Sequence, residues 1–403
     1  MQKGWLAKTF KGDRVLWGLV ALFMIYSLLA VYSSSAGVAF MKYGGNTTYF
    51  LRSQFFMLVL SLIIIVVVHY LPYRIYFSMA GLFLIISAGL LILTFAFGSR
   101  VNEATRWLVI PGTGFRLQTS DVAKVALVIY LARTMAKYQD KLTDFKLVSK
   151  YLMIPVAVIC GLIMPENLST AVMIFGICIM IMFIGRVPFK FLLSYIGLGL
   201  AGVIVFALLL SLFTESNRVE VWKNRIENYF TGSDNPDEDY QSNQAKIAIS
   251  TGGLFGKAPG KSVQRNMLPQ SNSDFIFAII IEEYGLLFGA IPLILAYLIL
   301  LFRGVTIAKK CETAFPAFLV LGLIVMIVMQ AMLNMLVAVG LFPVTGQTLP
   351  FVSWGRTSVL MMSFSIGAIL SVSRVVNARI KNEELPAEEA TDEGEKIYDT
   401  AKA

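Results

Sequence analysis

The chain has 403 residues, of which 57% are apolar and only 15% charged, and its mean hydropathy is +0.72. So few charges cannot clothe a water-exposed surface, and apolar stretches near the ~20 residues needed to cross a bilayer recur along most of the length. Composition therefore excludes a secreted disulfide scaffold, a DNA-binding domain and a cytosolic enzyme, and it points to an all-α polytopic membrane protein.

In chain order, the apolar windows predict ten helices over residues 14–34, 53–71, 79–98, 118–135, 150–165, 168–185, 189–213, 275–302, 314–341 and 357–374. The fifth and sixth are short and separated by Met164-Pro165-Glu166-Asn167, which reads as a broken pair. With residues 1–13 inside, the inner segments carry 18 lysines and arginines and the short outer ones carry six. That excess sets both termini on the cytoplasmic side of the membrane. The net charge of +9 thus reads as topology, with anionic membrane lipid as its partner and no nucleic acid. Ser33-Ser34-Ser35-Ala36-Gly37 imitates a cleavage site, but the apolar run before it is longer than a signal peptide needs, so the first helix is read as retained.

Residues 214–273 form a large polar outer loop, in which Val219, Trp222 and Ile226 fall at the spacing of an amphipathic helix lying on the membrane surface. Residues 375–403, acidic toward their end, read as a disordered cytoplasmic tail. The single histidine, His69, closes an apolar run and reads as an interfacial polar tip, so histidine-based acid/base or metal chemistry has almost no material. Of the three cysteines, Cys160 and Cys178 lie in apolar runs and Cys311 in a basic loop, with no pairing expected.

Ionisable residues within or beside spans carry the information, because each costs about 2.5 to 3.5 kcal/mol at a helix centre. Asp121 and Lys124 share one face of the fourth span, after Arg106 and Arg116 in the preceding loop; a simple neutralising ion pair is the alternative reading. Glu166 lies in the break between spans five and six, where Asn167 or Ser169 would cap the next helix. Asp274 opens the eighth span, where it or Ser273 would serve equally as a helix cap, and Glu282 and Glu283 follow two turns later and need a distant partner. Between spans nine and ten, the glycines and prolines from Gly340 to Ser358 preclude a regular helix yet remain apolar, which predicts a re-entrant loop carrying Ser353 and Arg356. Together these residues surround the outer mouth of one cavity and suit an anionic lipid headgroup, with cations for phosphate and a carboxylate free to take a proton.

Six segments in this order resemble the SEDS family of membrane proteins, which includes RodA and FtsW. They are Ala104 to Gly112, Arg116 to Lys124, Met164 to Ala171, Gly252 to Gly256, Leu268 to Gly285, and Pro343 to Ser358. The resemblance implies a ten-helix peptidoglycan glycosyltransferase that polymerises lipid II on the outer face of the cytoplasmic membrane. Asp274 matches the family's essential aspartate; Arg116, Asp121 and Lys124 match its polar cavity residues, and Arg106 the arginine of the preceding motif. The sequence departs from the family in having Asp121 for Glu, Thr119 for Pro, Asn167-Leu168-Ser169 for Asp-Leu-Gly, Gln270 for Glu, and Gly355-Arg356 for Gly-Gly. The Gly-Gln-Thr-Leu-Pro run and the acidic tail look more like FtsW, the division branch, than RodA.

The resemblance further implies an inverting displacement with Asp274 as general base. Arg106, Arg116 and Lys124 would hold pyrophosphate, helped by a divalent cation such as Mg or Mn as a candidate cofactor; Asp121 would orient Lys124, with Glu166, Ser353 and Arg356 completing the substrate site. The implied partners are lipid II, a class B penicillin-binding protein and other divisome proteins. A lipid II flippase or transporter using the same cavity is the rival reading; it would need matching polar access from the inner side, and the charges cluster outward.

Overall fold

An apolar segment in a bilayer must close its backbone hydrogen bonds within itself, and nine of the ten predicted windows each fall on one helix, the exception being 275–302. The computed structural model describes residues 11–36, 39, 47–101, 104–109, 116–213, 236–268 and 270–384. The first three helices are α1 (Arg14–Ser34), α2 (Thr47–Tyr70) and α3 (Arg74–Phe97). Then come α4 (Thr119–Lys137), α5 (Phe145–Ile163, with a π-helical turn at Ser149–Met153), α6 (Leu168–Ile184) and α7 (Phe189–Phe213). After the polar loop, α8 (Pro236–Gly252), α9 (Ile276–Gly285), α10 (Ile291–Lys309), α11 (Ala314–Ala338) and α12 (Arg356–Glu384) complete the bundle.

Eight of the described helical segments are long and apolar enough to cross a membrane. The other two predicted spans differ for separate reasons: α6 has only 17 residues, and α4 carries Asp121, Lys124 and Arg133 within its 19. Burial explains how α4 tolerates those charges, because it packs inside the bundle, with Leu127, Val128 and Leu131 at most 1% exposed. Helices α12 and α11 bury 78% and 67% of their apolar windows and α7 only 11%, so α11 and α12 form the centre of the bundle and α7 lies at its lipid-facing edge. At the far end of α1, Asp13 caps the helix by accepting from Val15 N at 2.8 Å, and its other oxygen binds the Arg303 guanidinium on α10.

Several expectations change. The predicted span 275–302 is not one helix. As a single rod, Ile276–Lys309 would hold 34 residues, about 50 Å against a hydrocarbon core of ~30 Å. Gly285, at φ +73° and ψ −175°, breaks it into α9 and, after the π-helical turn Leu286–Ala290, α10. The tail expected from residue 375 is helical to Glu384, because Val375 and Val376 remain buried and Arg379 pairs with Glu312 at 3.0 Å; residues 385–403 lie outside the described residues. His69 is fully buried rather than interfacial, set edge-to-face against Trp17 with ring centroids 5.7 Å apart. The surface helix expected near 219–230 lies outside the described residues, whereas α8 in the same polar loop is a helix that the hydropathy pattern does not predict.

Between α3 and α4 the chain forms a three-stranded antiparallel sheet of β1 (Ser99–Val101), β2 (Ala104–Val109) and β3 (Arg116–Gln118), in that order. Trp107 lies opposite Gln118, and Val109 opposite Arg116. These strands are too short to show a period-two pattern.

Candidate active site

Asp274 sits half-buried in the turn that leads into α9, and the turn is held from three sides. The Asn334 side-chain amide on α11 donates to the Asp274 carbonyl at 2.8 Å and to the Gln347 carbonyl at 2.7 Å. Ser353 Oγ donates to the Ser273 carbonyl at 2.7 Å while accepting from Leu349 N at 2.8 Å. Trp354 N donates to the Asn272 carbonyl at 2.8 Å. The stretch Gly340–Gly355 is not helical, and its loop and the Asp274 turn are therefore fastened to each other and to α11. Neither Ser273 nor Asp274 caps α9: the capping position is Phe275 and makes no side-chain cap bond. Ser273 Oγ instead donates to Asp274 Oδ1 at 2.7 Å, which orients the carboxylate.

One turn below Asn334, Gln330 performs the same task for the charges of α4. Lys124 and Asp121 form a buried ion pair at 3.1 Å, their side chains 1% and 7% exposed. The Lys124 ammonium also donates to Gln330 Oε1, and Gln330 Nε2 donates to the Thr348 carbonyl at 2.9 Å. Lys124 and Asp274 are thus both tied to positions four residues apart on α11, about 6 Å along its axis. Asp121 Oδ2 and Asn334 Oδ1 are buried with no hydrogen-bond partner among the described residues, two acceptors at this centre that stay available to donors.

The remaining candidates are gathered less tightly. Arg116 is exposed on β3, and its carbonyl accepts from Thr357 Oγ1 at 3.1 Å, so the sheet is stitched to the start of α12 beside Arg356. Arg356 itself is half-buried and donates to Ser53 Oγ on α2 at 3.5 Å. Glu166 lines a small cavity with Thr94, Gln118, Ser120 and Asn167, close to the root of α4, while the Asn167 side chain caps α6 through Thr170 N at 3.1 Å. Arg106 has its backbone on β2; its side chain lies outside the described residues. The polar residues that sequence reading missed are Gln330, Asn334 and Gln347, the last donating to Thr170 Oγ1 at 2.7 Å. Their one signal is amide side chains within or beside an apolar run.

The distant partners required by Glu282 and Glu283 come from the loop after α8. Both acids are at most 1% exposed. Glu282 pairs with Lys257 at 2.8 Å and accepts from Ser262 Oγ and the backbone amides of Val263 and Gln264. Glu283 accepts from Ser33 Oγ on α1, with Arg265 at 3.9 Å. Two backbones meet here at close range: Lys257 N donates to the Glu282 carbonyl at 2.9 Å, and Leu286 N to the Gly253 carbonyl at 3.0 Å. A Cβ on Gly256 would lie 2.3 Å from the Glu283 carbonyl oxygen, and one on Gly285 2.4 Å from that of Leu254. Both also have positive φ, which only glycine adopts readily. This clasp fixes α9, and with it Asp274. Ser34 and Ser35 of the suspected cleavage site bind the same region, through Ser271 Oγ at 3.1 Å and Asn272 Nδ2 at 3.5 Å.

No three aspartate, glutamate, histidine or cysteine side chains converge on a metal-sized site among the described residues. A magnesium-type ion would need fewer, since it is commonly held by one or two carboxylates together with substrate phosphates, and Asp274 and Asp121 are the carboxylates at this centre.

Residues 13–378 match the family profile described as Cell cycle protein, which covers FtsW, RodA and SpoVE. The chain is 33% identical over 370 residues to the probable peptidoglycan glycosyltransferase FtsW of Hydrogenovibrio crunogenus, spanning 89% of this chain and 91% of that one. It is 30% identical over 366 residues to the corresponding protein of Geobacter metallireducens, spanning 90% and 94%. Its fold is similar to a chain in a structure titled "Structural coordination of polymerization and crosslinking by a peptidoglycan synthase complex", with a TM-score of 0.70 at 22% identity, spanning 92% of this chain and 98% of that one.

Proposed function

Because the chain belongs to the FtsW/RodA/SpoVE family, we propose that it is a multi-pass membrane peptidoglycan glycosyltransferase that polymerises lipid II into glycan strands, with Asp274 as its base. The observation that carries the assignment is the grip on the Asp274 turn. Asn334, Ser353 and Trp354 hold its backbone while Ser273 aims the carboxylate, an arrangement suited to proton transfer from a positioned hydroxyl.

In the proposed reaction the sugar 4-hydroxyl of one lipid-linked unit attacks the anomeric carbon of another. The new C–O bond forms as the bond to pyrophosphate breaks, the hydroxyl proton passes to Asp274, and the lipid pyrophosphate departs. Arg116, Lys124 and Arg106 supply positive charge for the departing group, with Arg356 at the rim, while the buried Ser353 holds the Asp274 turn. Asp121 holds Lys124 in place, and Glu166 borders the entry beside β3.

The excess of basic residues in the predicted inner loops supports cytoplasmic termini and a site open to the outer face of the inner membrane. The similarity to FtsW supports a role in cell division, and that to a chain of a synthase complex supports a class B penicillin-binding protein, with other divisome proteins, as partner. Purified protein carrying Asp274→Asn is expected to bind lipid II but lose polymerisation about 10²- to 10⁴-fold. Glycan synthesis by that variant at the wild-type rate would overturn the assignment. The assay is run in detergent, where translocation has no meaning, so a transporter would give no polymer at all.

A further inference from the structure

The described part of the bundle has a second recess, remote from Asp274. A groove of about 510 Å³ opens where the α2–α3 and α10–α11 connections meet the last turns of α12. Its wall residue Pro316 is 18 residues from Asn334 along α11, and Val376 is 20 from Arg356 along α12, so both paths measure about 30 Å. That is one hydrocarbon thickness, which puts the groove at the membrane surface opposite the candidate active site.

The lining has two characters. Phe77, Phe315 and Val376 form an apolar wall, and Arg74, with Arg379, stands at the rim beside one acid, Glu312. Arg379 is bonded to Glu312 at 3.0 Å, so a positive charge is left over at Arg74. The first turns of α3 and α11 also border the groove, and neither contains an acidic residue or receives a side-chain cap, which adds to the positive potential. A small soluble anion would use only the rim and leave the wall wet. An amphiphile with a negative head would cover both.

We infer that this groove binds an anionic phospholipid, its phosphate at Arg74 and an acyl chain along Phe77, Phe315 and Val376. Basic pockets between transmembrane helices at the cytoplasmic surface take such headgroups. The bound lipid braces α11 and α12, the two helices that carry Gln330, Asn334 and Arg356 at their other ends. The choice of inner leaflet rests on the orientation proposed above; lipid retention in detergent does not, so an inverted topology and an unused groove give different results.

The test is native mass spectrometry of purified protein after exchange into phosphatidylglycerol or phosphatidylcholine. Wild type is expected to retain phosphatidylglycerol preferentially. Arg74→Gln should lower that retention about fivefold, the effect of one arginine near the surface. Val376→Trp, which fills the groove without altering charge, should lower it as well, with both variants eluting as monodisperse species on size-exclusion chromatography to show that they are folded. Equal retention of the two lipids by wild type, or wild-type phosphatidylglycerol retention by both variants, would overturn the inference.

Discussion

The Asn334 side chain bridges two carbonyls that are 73 residues apart in sequence, those of Asp274 and Gln347, at 2.8 and 2.7 Å. It thereby makes α11 the ruler against which the aspartate turn and the re-entrant loop are both set. Removing it leaves two buried acceptors unpaired, at about 1–3 kcal/mol each. Asn334→Leu is therefore expected to reduce the polymerisation kcat at least tenfold with lipid II affinity nearly unchanged, because the turn shifts while the cation site stays. Steady-state kinetics with a separate lipid II binding measurement check this; an affinity loss equal to the rate loss would contradict it.

Lys124 and Asp121 should behave as a unit. Truncating one member of a buried ion pair costs roughly 3–5 kcal/mol, whereas replacing both with uncharged groups of similar size is often neutral. Lys124→Met is expected to lower the thermal unfolding temperature markedly, and Asp121→Asn combined with Lys124→Met to recover most of it. Neither variant should regain polymer synthesis, since the cation is gone. Thermal unfolding in detergent and a polymerisation assay on the same samples decide.

The clasp between the α8 loop and the end of α9 depends on backbone contact. Gly256→Ala and Gly285→Ala each drive a methyl to within 2.5 Å of facing backbone, so both are expected to misfold and to be lost from detergent extracts. Gly89→Ala, at a site where nothing lies within 4 Å, serves as the matched control. Equal monodisperse yields of all three on size-exclusion chromatography would refute the close approach.

Cys311 lies in the α10–α11 connection, outside the spans, and burial pushes its thiol up to about 12 from an ordinary 9.0. The thiolate is thus disfavoured in the folded protein, and maleimide labelling at pH 7 is expected to be slower than that of a small free thiol. The folded state binds the thiol proton more tightly than the unfolded chain does, so the stability it contributes is present in full below pH 9 and declines as pH rises from 9 toward 12. Labelling as fast as that of a small free thiol at pH 7 would contradict the burial.

Much of this molecule is written locally. The spans Arg14–Ser34 and Phe189–Phe213 coincide with the predicted windows because hydropathy and the need to close backbone hydrogen bonds act residue by residue. Asp121, Lys124 and Asp274 stand out as candidates for the same reason, since a charge among apolar neighbours is costly wherever the chain later goes. The break at Gly285 is not legible, because its positive φ is demanded by the backbone of Gly253 to Gly256 and by nothing adjacent to it.

Hydropathy and charge by themselves determined a polytopic helical protein, the boundaries of some of its helices, and which few ionisable residues deserved a role. Tertiary structure alone decided which of them meet. Lys124 finds Gln330 across 206 residues, Glu283 finds Ser33 across 250, and Asn334 finds Asp274 across 60. Such pairs leave no periodic trace, because a hydrogen bond between distant segments is specified by how helices pack and by the cost of leaving a buried polar group unpaired, and neither is a property of a local stretch of sequence.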